Sequence, residues 1–195
     1  MNWHAALGIA AGVIQLISFF PYAYSIFRGT TRPSFFSNFL WTALGVIEFA
    51  AQWSAGTSWS IVLVGEVTFN TCLIAILALS GYGYKKWNAI DLWSFFLACA
   101  SIVGWYTTGN PITALWFALA ANALATVPVY RKAYYDPHSE QFIGWFLVVF
   151  SSLCSVFSTT IWDAANLIIP GYLLFESVVI SSLIFFGQRS AKHKV

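Results

Sequence analysis

Residues 112–145, ITALWFALAANALATVPVYRKAYYDPHSEQFIGW, place Asn122, Pro128, Pro137 and Trp145 in order along a largely apolar stretch. The same order stands about a hundred residues earlier as Gln15, Pro21, Pro33 and Trp41. Gln15 and Asn122 each precede their proline by six residues, and Pro33 and Pro137 each precede their tryptophan by eight. Only the segment between the prolines differs, being three residues shorter in the second copy. Two apolar hairpins with matching punctuation imply an internal repeat, and in membrane proteins solute sites form where such repeats meet.

Composition sets the surroundings. The 195 residues are 59% hydrophobic and 8% charged, with a mean hydropathy of +0.72. Soluble domains carry roughly a quarter charged residues, so this chain cannot cover its surface with charge, and an integral membrane protein is expected. A net charge of +2 gives no reason to expect a nucleic-acid partner. Cys72, Cys99 and Cys154 all lie inside apolar runs and form no CxxC; an odd, scattered set reads as packing residues, not a disulfide frame or metal site. No Walker, HExxH or GxSxG pattern is present, so neither enzyme chemistry nor a cofactor is expected. The N-terminal MNWHAALGIA lacks a basic region and a cleavage motif and reads as a retained first span.

A bilayer-crossing helix needs about 20 apolar residues. Seven runs qualify, at 5–27, 35–52, 59–80, 90–106, 112–133, 141–157 and 165–187. They are separated by turn-forming stretches such as Gly29–Pro33, Ser54–Thr57, Gly81–Gly83 and Thr108–Pro111. Lipid cannot satisfy free backbone groups, so helices are the expected spanning form. Arg28 and Arg32 follow the first run, Lys85 and Lys86 the third, and Arg131 and Lys132 close the fifth. Arg189, Lys192 and Lys194 follow the seventh, so all nine basic residues fall on one side. The positive-inside rule then puts the C-terminus in the cytoplasm and the N-terminus outside, in the cell membrane.

The repeat extends further. Asn70 stands eleven residues before Gly81, and Glu176 eleven before Gly187. An all-α architecture of seven transmembrane helices in a 3+1+3 parallel repeat is therefore expected. Its parts are a first triple-helix bundle at 1–81, a connector with the fourth helix at 82–110, and a second triple-helix bundle with a short tail at 111–195.

Gln15, Asn70, Asn122 and Glu176 fall near the middle of their spans, in two pairs of equivalent positions. Polar groups at that depth are costly and face a cavity or a partner helix, so a shared polar cavity at the midplane is expected. Glu176 would bind a cationic group, carry a proton, or donate a hydrogen bond as the neutral acid. Glu66 lies one turn before Asn70 and is expected along the same path. Glu48 is nearer the outer end of its span, reads as interfacial, and is left out of the site. Asp91, at the start of the fourth span, reads as a cap. Pro21 and Pro128 would kink their helices, while Pro33 and Pro137 enter theirs at the first turn; the four together are a candidate gate or hinge at the inner mouth. Trp3, Trp53, Trp59, Trp87, Trp93, Trp105 and Trp162 fit an interfacial belt. Trp41 and Trp145, a turn or two inside, could line the site and stack on a planar solute. His4, His138 and His193 fall in or beside loops.

In these features the chain resembles the SWEET and PQ-loop (MtN3-like) transporter superfamily. The 3+1+3 layout, an outside N-terminus and one proline in each of four corresponding helices carry the resemblance, which covers nearly the whole chain. It implies a cytoplasmic-side proline tetrad at Pro21, Pro33, Pro128 and Pro137. It also implies paired pocket asparagines on the third and seventh helices, of which Asn70 fits the first and Glu176 stands in for the second. Pro21 is followed by Tyr22 and Pro128 by Val129, so the proline–glutamine pair itself is absent. The implied function is alternating-access transport of a small polar solute, with a sugar leading because of the tetrad. A proton-linked carrier of amino acids or other cationic solutes follows because of Glu176, and a ligand-binding receptor of the same fold is third. Expected partners are the solute, the lipid bilayer and, in a homo-oligomer, further copies of the chain.

Overall fold

The computed structural model describes residues 2–56, 58–86 and 89–192, with side chains through Arg189. Thr57, Trp87, His193 and Lys194 lie outside that range, as does the side chain of Lys192. Seven long helices run through the described residues: α1 Trp3–Phe27, α2 Phe35–Ala55, α3 Ile61–Leu77, α4 Ala89–Thr108, α5 Pro111–Tyr135, α6 Phe142–Ser158 and α7 Ala164–Lys192. A wider π-type turn, Ala78–Tyr82, extends α3. By length and composition Trp3–Phe27, Ile61–Tyr82, Ala89–Thr108, Pro111–Tyr135 and Ala164–Arg189 can each cross a membrane. The 17-residue α6 is shorter but apolar.

The boundaries have local causes. Ser34 accepts from the Ser37 amide at 3.3 Å to start α2, and Asn110, followed by Pro111, accepts from Ile112 N at 3.0 Å to start α5. Gln141 does the same for α6, accepting from Gly144 N at 2.6 Å. Gly29 (φ 72°) and Gly109 (φ 63°) reverse the chain in the left-handed region, where a β-carbon is disfavoured. Two sequence expectations need adjustment here. Pro33 precedes the cap Ser34, and Pro137 opens a separate 3₁₀ turn, Pro137–Ser139. Neither is in the first helical turn, because the capping oxygens come from Ser34 and Gln141. Asp91 lies within α4 and is fully buried, accepting from the Ser37 hydroxyl of α2 at 3.3 Å. It joins two helices as well as sitting at a positive helix end.

The helices are inside-out relative to a water-soluble bundle. On α6, Gly144, Ser151, Ser152, Ser155 and Ser158 are buried, while Ile143, Phe146, Phe150, Leu153 and Phe157 are exposed. On α1, Ala5, Gly8, Ala11, Gly12, Gln15 and Ser18 turn inward, with Ile9, Val13, Ile17, Phe20 and Tyr24 on the outside. Small residues at the interface allow close backbone approach, and large apolar ones face the surroundings, as hydrocarbon requires. At Gly12 an added β-carbon would come within 2.7 Å of Val62 Cγ1, so a glycine there lets α1 sit this close to α3. Trp3, Trp53, Trp59, Trp93 and Trp162 are exposed near helix ends.

The packing partners are specific. α3 packs on both α1 and α2, and α7 on both α5 and α6; α1 lies against α6, α2 against α5, and α4 chiefly against α5. The α1–α2 and α3–α4 connections meet at one end, where Phe35 N donates to the Tyr84 carbonyl at 2.9 Å and Tyr84 N to the Pro33 carbonyl at 3.1 Å. The α5–α6 connection and the end of α7 meet likewise, Gln188 Nε2 donating to the Pro137 carbonyl at 3.0 Å. The basic residues Arg28, Arg32, Lys85, Lys86, Arg131, Lys132 and Arg189 belong to this end of the helices. In a chain freed of its own cysteines, Tyr84→Cys and Ser54→Cys are therefore expected to react with a membrane-impermeant maleimide from opposite sides. Labelling of both from one side would sink the seven-span topology.

Candidate functional site

A cavity of about 140 Å³ lies between the helices. Toward the basic end it reaches Asn38 and Gly144, the fourth and third residues of α2 and α6. At its other end it reaches Val64 and Ile169. Gln15, Asn70, Asn122 and Glu176 all line it, as do Trp41 and Trp145. Four polar residues far apart in the chain are thus gathered around one space.

Glu48 belongs to the same wall. It is 4% exposed, and its Oε1 accepts from Asn122 Nδ2 of α5 at 2.5 Å. Along the sequence Glu48 reads as interfacial because the apolar run ends at 52, whereas α2 runs to Ala55. A signal was present: Gly45, Glu48, Ala51 and Gln52 recur on one side of α2, with Val46, Phe49 and Trp53 on the other. That is the small-and-polar stripe of an inward face.

Glu176 is 6% exposed and its Oε1 accepts from the Thr126 hydroxyl at 2.6 Å. Thr126 Oγ1 also lies 3.1 Å from Tyr172 Oη. A threonine hydroxyl has a single proton. With it given to Glu176, Tyr172 donates to Thr126, making a chain of hydroxyls that ends on the carboxyl. Thr126 and Tyr172 went unnoticed in the sequence because their role depends on the packing of α5 on α7. Across the cavity Asn70 Nδ2 donates to the Gln15 carbonyl at 3.0 Å. Among the described residues Asn70 Oδ1 and Gln15 Oε1 have no hydrogen-bond partner, although both atoms are buried.

Glu66 is not part of the cavity wall. It packs beside Gly12 of α1, its Cγ 3.5 Å from where a β-carbon on that glycine would stand. None of Pro21, Pro33, Pro128 and Pro137 lines the cavity either. Pro21 and Pro128 are half-buried inside α1 and α5, and Pro21 directly precedes the wall residue Tyr22. Pro33 and Pro137 hold the loops at the basic end through the carbonyl contacts described above. α7 contains a further buried proline, Pro170, one turn before the wall residue Leu173.

The two ends of the cavity are closed differently. One turn beyond Val64 and Ile169, Gln52, Ser60 and Asn166 are fully buried and bonded together. Gln52 Nε2 and Ser60 Oγ donate to the Asn166 carbonyl at 3.4 and 3.3 Å, and Asn166 Nδ2 donates to the Gly56 carbonyl at 3.2 Å. Beside them Thr160 N donates to Ser58 Oγ at 2.7 Å, and Ser155 Oγ to the Ser60 carbonyl at 3.2 Å. At the basic end Lys132 Nζ pairs with Glu140 Oε1 at 2.9 Å, and Trp145 Nε1 donates to Glu140 Oε2 at 3.5 Å. That pair links α5 to the approach to α6 and leaves α1 and α2 outside the bonding.

Among the described residues the cavity wall contains two carboxyls and no lysine, arginine or histidine. Its polar residues include the carboxyls of Glu48 and Glu176 and the amides of Gln15, Asn70 and Asn122, with Trp41 and Trp145 beside them. No protein-family model, curated protein or solved structure matches the chain.

Proposed function

We propose that this protein is a membrane carrier of a small, positively charged polar solute, moved by alternating access between two three-helix units. The observation that carries the reading is the pair of buried carboxyls, Glu48 and Glu176, on one cavity with no basic side chain in its wall. A buried carboxylate without a counter-charge is strongly unfavourable, so the cavity is suited to a solute that brings positive charge.

Two features support the carrier part. Exchanging α1, α2 and α3 for α5, α6 and α7 maps each packing pair onto another: α1–α3 onto α5–α7, α2–α3 onto α6–α7, and α1–α6 onto α5–α2. A 3+1+3 repeat with α4 as connector has this pattern, and two like units meeting at a central site are the usual basis of rocking transport. The second feature is the asymmetric closure. The contacts at the Gln52 end are interhelical hydrogen bonds of about 0.6 kcal/mol each, a few kcal/mol together, which solute binding can offset when the cavity changes sides. Under the positive-inside rule the basic end is cytoplasmic, and the sealed end faces outside.

A neutral sugar is the second reading, favoured by the presence of Trp41 and Trp145 in the wall. Counterflow in proteoliposomes separates the two. With a panel of labelled small organic amines and neutral sugars, accumulation of an amine is expected and that of a sugar is not. Sugar counterflow without amine counterflow would transfer the assignment to the sugar, and counterflow of neither would end the carrier reading.

A further inference from the structure

We propose that the solute is a linear diamine, its two ammonium groups seated one on Glu48 and one on Glu176. This rests on the cation-carrier reading and narrows it. Both carboxyls are anchored on the same helix: Glu48 to Asn122 and Glu176 to Thr126. Those anchors are four residues apart on α5, which at a rise of ~1.5 Å per residue separates them by ~6 Å along the axis. A staggered four-carbon diamine holds its nitrogens about 6 Å apart. The spacing of the anchors therefore suits a chain of about three to five carbons.

The hydrogen bonding fits two cations better than one. Each carboxyl gives only Oε1 to its anchor, and among the described residues Glu48 Oε2 and Glu176 Oε2 carry no hydrogen bond. An ammonium has three N–H donors and no acceptor, so it needs further oxygens besides the carboxylate. Gln15 and Asn70, 6% and 4% exposed, are a source of them: both line the cavity, and Gln15 Oε1 and Asn70 Oδ1 are buried without partners, so turning either amide toward the solute breaks no hydrogen bond of that oxygen. Phe19, Val67, Ile74 and Leu173 make apolar parts of the same wall, a match for methylenes. A monoamine leaves one carboxyl uncompensated. An amino acid adds a carboxylate of its own to a wall with no basic group to receive it.

Titration calorimetry on the purified full-length protein tests the assignment with 1,4-diaminobutane, 1-aminobutane, 1,8-diaminooctane and lysine. The diamine of matching length is expected to bind at least ~10-fold more tightly than the monoamine, because a second charge-assisted contact is formed. The longer diamine and lysine should both be weaker than 1,4-diaminobutane. Glu48→Gln and Glu176→Gln should each reduce the diamine to monoamine affinity, while Asp136→Asn, on the surface, should leave it unchanged. Equal binding of mono- and diamine to the wild type, tighter binding of lysine, or no diamine binding to the folded wild type overturns the proposal. The ligand series on the wild type decides this even if a variant fails to fold. Diamine binding without counterflow would remove the carrier reading and keep the diamine site. Counterflow of another solute without diamine binding would do the reverse.

Discussion

Counterflow of a labelled small organic cation is expected to fall by ~100-fold or more when Glu48 and Glu176 are both replaced by glutamine. A hydrogen bond to a charged group contributes about 1.5–3 kcal/mol. Losing two therefore costs about 3–6 kcal/mol, and each ~1.4 kcal/mol is a factor of ten. Glutamine is chosen because it keeps size and an acceptor oxygen. Asn122 Nδ2 and the Thr126 hydroxyl each retain something to donate to, so the bundle should keep its packing. What disappears is charge. The single variants should each lose ~10-fold or more. By contrast Glu176→Leu removes the acceptor as well as the charge, but the Thr126 hydroxyl keeps the Asn122 carbonyl at 3.0 Å and Tyr172 Oη at 3.1 Å as partners, so transport should be lost with little change in thermal stability. A double glutamine variant that transports within about threefold of the wild type, well inside the tenfold expected from one lost contact, would remove both carboxyls from solute recognition.

The second large effect is expected at the sealed end. Ser58 Oγ lies 3.3 Å from Thr160 Oγ1, and these residues belong to the α2–α3 and α6–α7 connections. A Ser58→Cys/Thr160→Cys pair, in a chain freed of its own cysteines, sits close enough for a disulfide under oxidation. If the Gln52–Ser60–Asn166 plug must part for the cavity to change sides, the bridge holds it shut. Counterflow should then drop by at least ~10-fold on oxidation and return on reduction, the barrier rising by more than ~1.4 kcal/mol. Binding from the basic end should survive. Oxidised protein that forms the bridge and still exchanges solute at the wild-type rate would show that the plug is static, and that access uses another route.

Parts of this architecture are legible one residue at a time. Gly29, Gly56, Gly81 and Gly109 stand in turn-forming stretches of the sequence, and all four adopt positive φ at helix ends. The seven apolar runs coincide with α1 to α7 to within a few residues, because helix formation in an apolar chain is a local matter of backbone hydrogen bonding. Gln15, Asn70, Asn122 and Glu176 could be singled out because an uncharged stretch makes any deep polar residue conspicuous. Their gathering around one cavity depends on the helices packing as they do.

Tertiary structure decided which polar residues share a space. Glu66 and Asn70 are one turn apart on α3 and look equivalent in sequence. Yet only Asn70 reaches the cavity, because Glu66 packs beside Gly12 of α1. Glu48 looked interfacial along its own helix and became a wall residue because α2 crosses α5 at Asn122. Thr126 and Tyr172 matter only through the contact of α5 with α7. Gln52, Ser60 and Asn166, unremarked in the sequence, close one end because the α2–α3 and α6–α7 connections meet there. Depth along a helix is a one-dimensional property that hydropathy and spacing record. The direction a side chain faces is set by helix rotation, and rotation follows from which small residues allow which neighbours to approach. That information is distributed over pairs such as Gly12 with Val62, and it is expressed only when the helices are packed.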